Sequence, residues 1–166
     1  MILGMSLPVF TVVHVAIGLV GICAGMIVVL GMFQSARLDT LTTVFLLATA
    51  ATSLTGFLFP YRGVTAGIIL SVLSLILLAA AALARYRFYL RGRWRWIYTV
   101  SAVVALYFNV FVLLVQTFQK IPAVKALAPT GKEPPFLVAQ LVTVATFAAL
   151  GVMTVRRFHP VMIVVK

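Results

Sequence analysis

The segment Arg85–Trp96, RYRFYLRGRWRW, decides the fold that the sequence predicts. It carries five arginines interleaved with five aromatic residues, and long apolar runs lie on both sides of it. Charge of this density does not enter hydrocarbon, so the segment is predicted to lie at a membrane surface. Short loops rich in Lys and Arg stay on the cytoplasmic side, and aromatic rings suit the same interfacial depth. We therefore interpret the segment as a cytoplasmic loop between two membrane spans.

The composition is typical of an integral membrane protein. Of the 166 residues, 64% are hydrophobic and 9% are charged, whereas soluble domains contain about 45–50% apolar and about 25% charged residues. The net charge is +11, but the basic residues fall between apolar runs. Topology and contact with membrane lipid therefore explain the charge better than nucleic acid, for which the loops are too short. The length favours a single transmembrane domain over residues 1–166.

Five apolar runs are long enough to cross a hydrocarbon core of about 30 Å, which takes roughly 20 helical residues. Helix is the expected structure because lipid cannot satisfy an open strand, and the runs lack the alternation of a barrel. The first run is interpreted as a retained span, since it is longer than a signal-peptide core and has no basic residues before it. The sequence thus predicts an all-α bundle of five transmembrane helices at about 9–33, 38–59, 64–84, 97–118 and 136–155.

The basic residues predict the orientation of this bundle. The loops after spans one and three and the C-terminal tail hold nine Lys and Arg, and the other side holds four. Nine against four predicts an N-terminus outside and a C-terminus in the cytoplasm. A tight turn at Tyr61, Arg62 and Gly63 is predicted to join spans two and three. A track of small residues at Gly18, Gly21 and Gly25 predicts close helix packing, within the chain rather than between chains.

The strongest hydrogen-bonding side chains of the spans gather, in this topology, in the outer half of the bilayer. They predict either an outward cavity that binds a ligand or a set of cross-links between helices, each worth about 0.6 kcal/mol. The ligand-binding candidates are His14, Asn109, Gln116, Gln140, Thr55 and Thr65.

The basic segment has a candidate role of its own, contact with anionic lipid headgroups. Its candidate residues are Arg85, Arg87, Arg91, Arg93 and Arg95.

Few catalytic or metal sites can be built from this sequence. The two acids, Asp39 and Glu133, fall in loop regions, and Asp39 is expected to cap the second span. No carboxylate is predicted inside the membrane, which excludes carboxylate-based proton pumping. Cys23 is the only cysteine, so neither an internal disulfide nor a Cys-based zinc site is expected. Sequence motifs of hydrolases, metalloproteases and phosphate-binding loops do not occur.

Haem b is the one cofactor that the sequence leaves open, with His14 as an axial ligand. His159 is predicted on the other side of the membrane, roughly 25–30 Å away. The two histidines therefore cannot hold one haem within a chain. A homodimer or a membrane protein partner would have to supply the second ligand.

Three segments resemble a family of small uncharacterised multi-pass proteins of bacterial inner membranes. They are LDTLTTVFLLATAATSLTGFLFP (Leu38–Pro60), WRWIYTVSAVVALYFNVFVLLVQTF (Trp94–Phe118) and APTGKEPPFLVAQ (Ala128–Gln140). The resemblance implies a bacterial inner-membrane location and lends no activity, cofactor or site residue.

The function predicted from the sequence is therefore non-enzymatic. We expect an accessory subunit, or a protein that binds a membrane partner or a lipophilic ligand in the outer half of the bilayer, with no cofactor. One alternative is a haem b protein with His14 as ligand and a quinone near Gln116 and Gln140. Another alternative is a small transporter that uses the outward polar cavity.

Overall fold

The regular structure of the chain is helical. A computed structural model describes residues 1–60, 63 and 65–160. The helices are α1 (Leu7–Met32), α2 (Asp39–Gly56), α3 (Ala66–Ala82), α4 (Arg93–Lys120), α5 (Pro122–Lys125) and α6 (Pro134–Arg157). A π-helical turn, Leu83–Arg87, continues α3. The predicted all-α class is confirmed. Tyr61, Arg62, Val64 and Lys166, which enter the predicted turn, the third span and the count of basic residues, lie outside the described residues.

Four helices of the described chain are long and apolar enough to cross a membrane, namely α1, α3 with its π-helical turn, α4 and α6. The sequence predicted five. The exception is α2, because six threonines, a serine and Asp39 fall among its 18 residues and reduce its hydropathy. Many of these polar residues face protein, and Thr42, Thr49 and Ser53 are buried. The structure thus shows a helical membrane protein with four candidate spans.

The small residues of α1 pack against α2. A Cβ added at Gly21 would lie 3.2 Å from the Thr49 hydroxyl, and one added at Gly25 would lie 2.8 Å from the Phe45 ring. Lipid gives no hydrophobic drive for association, so close backbone approach supplies the packing energy instead. The small-residue track therefore serves packing within the chain.

Helix α4 is the central helix of the bundle and contacts α1, α3 and α6. Its first half is the most buried part, with Tyr98, Ala102 and Leu106 enclosed. Helix α6 is peripheral: of its 24 residues only Phe147 and Thr154 are buried. Most of the α6 surface is therefore available to lipid.

The helices form two distinct ends. The basic end is formed by the end of α1, the start of α2, the segment 83–96 and the end of α6. There Ser35 bonds the carbonyl of Arg157 at 2.9 Å. At the other end, called here the α5 end, the Phe10 and Phe59 rings lie 5.0 Å apart. The segment predicted as one loop is mostly helical, because the π-helical turn after α3 ends at Arg87 and α4 starts at Arg93.

Candidate functional site

His14 and Thr55, two of the predicted ligand-binding residues, bond each other. The His14 Nδ1 atom lies 2.8 Å from the Thr55 hydroxyl and joins α1 to α2. The His14 ring also packs edge-on against Phe59, with ring centroids 5.0 Å apart. This arrangement fixes the orientation of the imidazole and gives it the role of a cross-link near the α5 end.

Asn109 is a second cross-link. Its amide Nδ2 donates to the Thr49 hydroxyl at 2.9 Å, which joins α4 to α2. Thr49 is fully buried and was not among the predicted candidates. The signal for it was its position on the serine- and threonine-rich face of α2. Thr65, another candidate, caps the start of α3 by accepting from the Ile68 amide at 3.4 Å.

Gln116 lies on the same side of α4 as Asn109, because the two residues are seven apart and two helical turns take about 7.2 residues. It therefore faces the interior that α4 shares with α2, near the α5 end. The Gln116 carbonyl oxygen Oε1 is buried and accepts no hydrogen bond. The Gln116 oxygen is therefore an acceptor that no described protein group uses.

Gln140 lies in the seam between α4 and α6, because the alignment of the two helices places it opposite α4. The ring pairs Phe118–Phe136 and Tyr107–Phe147, with centroids 5.3 and 5.7 Å apart, fix an antiparallel alignment in which paired residue numbers add to 254. Gln140 is therefore level with residue 114 of α4. It is seven residues from Phe147, so it faces α4 with it. Gln140 is consequently flanked by an aromatic pair on each side along the seam.

The amide of Gln140 is the least satisfied polar group of the candidates. Both its oxygen Oε1 and its nitrogen Nε2 are buried and make no hydrogen bond within the described chain. An unpaired buried amide costs about 1–3 kcal/mol in proteins, and more in hydrocarbon. Gln140 and Gln116 lie on different sides of α4 by this geometry, so the structure does not bring all the predicted residues into one cavity.

Arg85, predicted to contact lipid, is instead buried with 1% of its surface exposed. Its Nη2 atom pairs with the Asp39 carboxylate and donates to the Arg37 carbonyl at 2.8 Å. Its Nη1 atom donates to the Tyr98 hydroxyl at 3.3 Å, and its guanidinium carbon lies 5.3 Å from the centroid of that ring. The prediction of lipid contact is therefore corrected for this arginine, because the protein already encloses its donors.

Asp39 lies in the first turn of α2, where its carboxylate suits the positive helix end as predicted, but the N-cap residue is Leu38. Its carboxylate pairs with Arg85 and lies 3.5 Å from Arg37 Nε. The side chain is 65% exposed, so this ion pair joins a buried cation to a carboxylate that water reaches.

The other basic candidates remain at the surface of the basic end. Arg87, Arg91 and Arg93 are exposed. Arg95 is partly buried and donates from Nη1 to the Phe158 carbonyl at 3.1 Å. The headgroup contact predicted for these four arginines remains a prediction.

Among the described residues, no three His, Cys, Asp or Glu side chains group together. His14 and His159 lie near opposite ends of the bundle, since His14 bonds the last turns of α2 and His159 bonds Ser35 at the basic end. One haem cannot use both within this chain.

Comparison with known proteins gives no relative for this chain: no family model, no curated protein and no solved structure matches it.

Proposed function

We propose that this protein is a non-enzymatic, five-span protein of the bacterial inner membrane that binds a lipophilic molecule in the seam between α4 and α6. The observation that carries the proposal is the Gln140 amide, whose donor and acceptor are both buried without a partner. A ligand carbonyl would accept from Nε2, and a ligand hydroxyl would in addition donate to Oε1, so a ligand of either kind would recover part or all of the desolvation cost.

The surroundings of Gln140 favour an apolar ligand with a flat or chain-like body. Aromatic pairs flank the residue on both sides along the seam. Ligand sites are generally apolar with a few polar groups that fix orientation, and they often lie between helices. Because α6 has only two buried residues, it can separate from α4 at low cost in packing.

The fifth span in this proposal is α2. Its 18 residues correspond to about 27 Å of helix, close to the thickness of the hydrocarbon core. It starts beside Arg85 at the basic end and reaches His14 at the α5 end. The polar residues of α2 lower its hydropathy, and they are compatible with a span because they bond other helices rather than face lipid.

The proposed orientation places the basic end in the cytoplasm, with the N-terminus outside. The excess of Lys and Arg at that end supports it. Gln140 then lies in the outer half of the bilayer, about one and a half turns into α6 from its start at Pro134.

The test compares Gln140→Leu with Thr143→Val, its matched control. Thr143 lies one turn along α6, is also partly buried, and has its hydroxyl satisfied by the Ala139 carbonyl at 2.8 Å. Each variant is purified from its native membrane in mild detergent, and bound lipophilic molecules are identified by mass spectrometry.

We expect the wild-type protein and Thr143→Val to retain one lipophilic species that Gln140→Leu loses. We also expect ligand-free Gln140→Leu to unfold at a higher temperature than the ligand-free wild type, because the unpaired amide is gone. A wild-type protein that carries no such molecule, or a Gln140→Leu variant that retains it, would refute the proposal.

A further inference from the structure

A cavity lies at the basic end of the bundle, far from Gln140. Its volume is about 280 Å³, and Arg37, Gly92, Arg95 and His159 contribute to its lining. These residues come from three separated parts of the chain: the loop before α2, the start of α4 with the residue before it, and the tail after α6. The fold thus brings two arginines and a histidine to one concave surface.

Specific bonds hold the three segments around this cavity in place. The Ser35 hydroxyl donates to the Arg157 carbonyl and accepts from the His159 amide, each at 2.9 Å. Phe158 is buried and packs near the Tyr98 ring, with centroids 5.9 Å apart. These bonds position the backbone segments that carry the cavity's arginines and histidine.

The cations of the cavity keep unused donors. The Arg95 Nη1 atom donates to the Phe158 carbonyl. A guanidinium has five N–H donors, so further donors of Arg95 are available to a ligand. Arg37 Nε is buried without a hydrogen bond and lies 3.5 Å from the nearest carboxylate oxygen, that of Asp39. Arg37 therefore has an ion-pair contact but no hydrogen bond from Nε.

The local charge is positive. The chain has two acids, and Asp39 is the only one at this end, where Arg85 already binds it. The backbone of the lining is also unusual, because Tyr89, Leu90 and Gly92 have positive φ angles of 52°, 60° and 51°. Strain of this kind persists where the surroundings fix it, and it is frequent at binding sites.

We propose that this cavity binds a phosphate group, with Arg37 and Arg95 as the principal ligands and His159 as the third. Guanidinium groups match phosphate oxygens in a bidentate geometry. The volume is just below the roughly 300–1,000 Å³ of sites for drug-sized molecules, so it suits a headgroup rather than a whole lipid. The phosphate comes from an anionic phospholipid of the adjoining leaflet or from a soluble phosphate compound. The proposal is independent of the ligand proposed for Gln140.

The test uses Arg37→Gln with Arg91→Gln as its matched control. Both variants remove one positive charge from the basic end, but Arg91 is exposed and does not line the cavity. His159→Ala is the second site variant, since the one hydrogen bond of the exposed His159 ring within the described residues is to the Arg157 carbonyl, at 3.2 Å, and we expect its loss to leave the fold intact.

One arm of the test uses phospholipid. The full-length protein is placed in phosphatidylcholine nanodiscs that contain a minor fraction of phosphatidylglycerol, and native mass spectrometry counts the phosphatidylglycerol that stays bound. The other arm uses inorganic phosphate, titrated against the thermal unfolding of the protein in pure phosphatidylcholine nanodiscs.

We expect the wild type and Arg91→Gln to bind one phosphate group, and Arg37→Gln to weaken its binding about tenfold or more, the loss typical of one charge-assisted hydrogen bond. His159→Ala should weaken binding in the same direction. Retention of phosphatidylglycerol without an effect of inorganic phosphate identifies the lipid as the source, and the reverse result identifies a soluble compound. Equal losses in Arg37→Gln and Arg91→Gln, or no binding of either probe by the wild type, would overturn the proposal.

Discussion

The ion pair between Arg85 and Asp39 gives the sharpest test of the packing at the basic end, because its two members differ in exposure. Arg85 is 1% exposed, whereas the Asp39 side chain is 65% exposed. Removing the exposed member leaves a buried cation without its counter-charge. Removing the buried member leaves a carboxylate that water can solvate. We therefore expect Asp39→Asn to destabilise the protein more than Arg85→Met does.

The magnitudes follow from these surroundings. Breaking a buried pair by removing one partner costs about 3–5 kcal/mol, and Asp39→Asn should lie near the low end because water reaches this site. Arg85→Met loses hydrogen bonds to the Arg37 carbonyl and the Tyr98 hydroxyl, each worth about 1.5–3 kcal/mol because the donor is charged. The same substitution removes the desolvation cost of a buried guanidinium, which offsets most of that loss. We expect a net change within about 1 kcal/mol for Arg85→Met.

The assay is reversible unfolding in detergent micelles, followed by circular dichroism for both single variants and the double variant. Arg91→Met serves as the control, since Arg91 is exposed and surface substitutions usually stay within about 0.5 kcal/mol. The double variant should match Arg85→Met, because no buried charge remains. If Arg85→Met proves as destabilising as Asp39→Asn, or more so, the reasoning from burial is refuted.

Two further predictions concern α1 and the turn before α6. Gly25→Ala should destabilise the protein by about 1–3 kcal/mol through overpacking, because its Cβ would lie 2.8 Å from Leu106 and Phe45 atoms. Gly18→Ala is the control, because its Cβ would lie 3.5 Å from the nearest neighbour. It should be neutral or stabilising in the same unfolding assay. Glu133 accepts hydrogen bonds from the Thr130 amide and hydroxyl, which with a Lys132 amide bond lower its pKa from 4.5 to about 2. A lowered carboxyl pKa stabilises the turn above pH 4.5 and loses that effect as the pH falls towards 2. The protection of the Thr130 amide, measured as its exchange rate relative to the intrinsic rate at each pH, should therefore fall over that range in the wild type and stay constant in Glu133→Gln.

Hydropathy and charge were sufficient to predict the helices, because both act locally along the chain. The five predicted segments are all helical, with ends displaced by a few residues. The spacing of seven residues likewise placed Asn109 and Gln116 on one side of α4. Such spacing does not tell which helix packs against that side of α4, because this depends on how the whole bundle is arranged. For that reason the predicted cavity combined Gln140 with Asn109 and Gln116, which lie on another side of α4.

The basic segment shows the same limit more clearly. Its five arginines are equivalent by local composition, yet only Arg85 is buried. The difference arises from Asp39, 46 residues earlier in the chain, and from the π-helical turn that contains Arg85. A signal was present in the sequence nonetheless: this end of the protein has a single acid, and a lone acid among many cations is expected to pair.

The burial of Arg85 also bears on the proposed orientation. The orientation rule counts Lys and Arg rather than net charge, and the strictest count leaves out Arg85 because it pairs with Asp39. Nine basic residues against four then become eight against four, and the bias keeps its sign. Orientation and packing at the basic end thus depend on different arginines: the exposed Arg87, Arg91 and Arg93 supply the free charge, and Arg85 joins the end of α3 to the start of α2. A variant that loses Arg85 should consequently keep its orientation in the membrane while losing that connection.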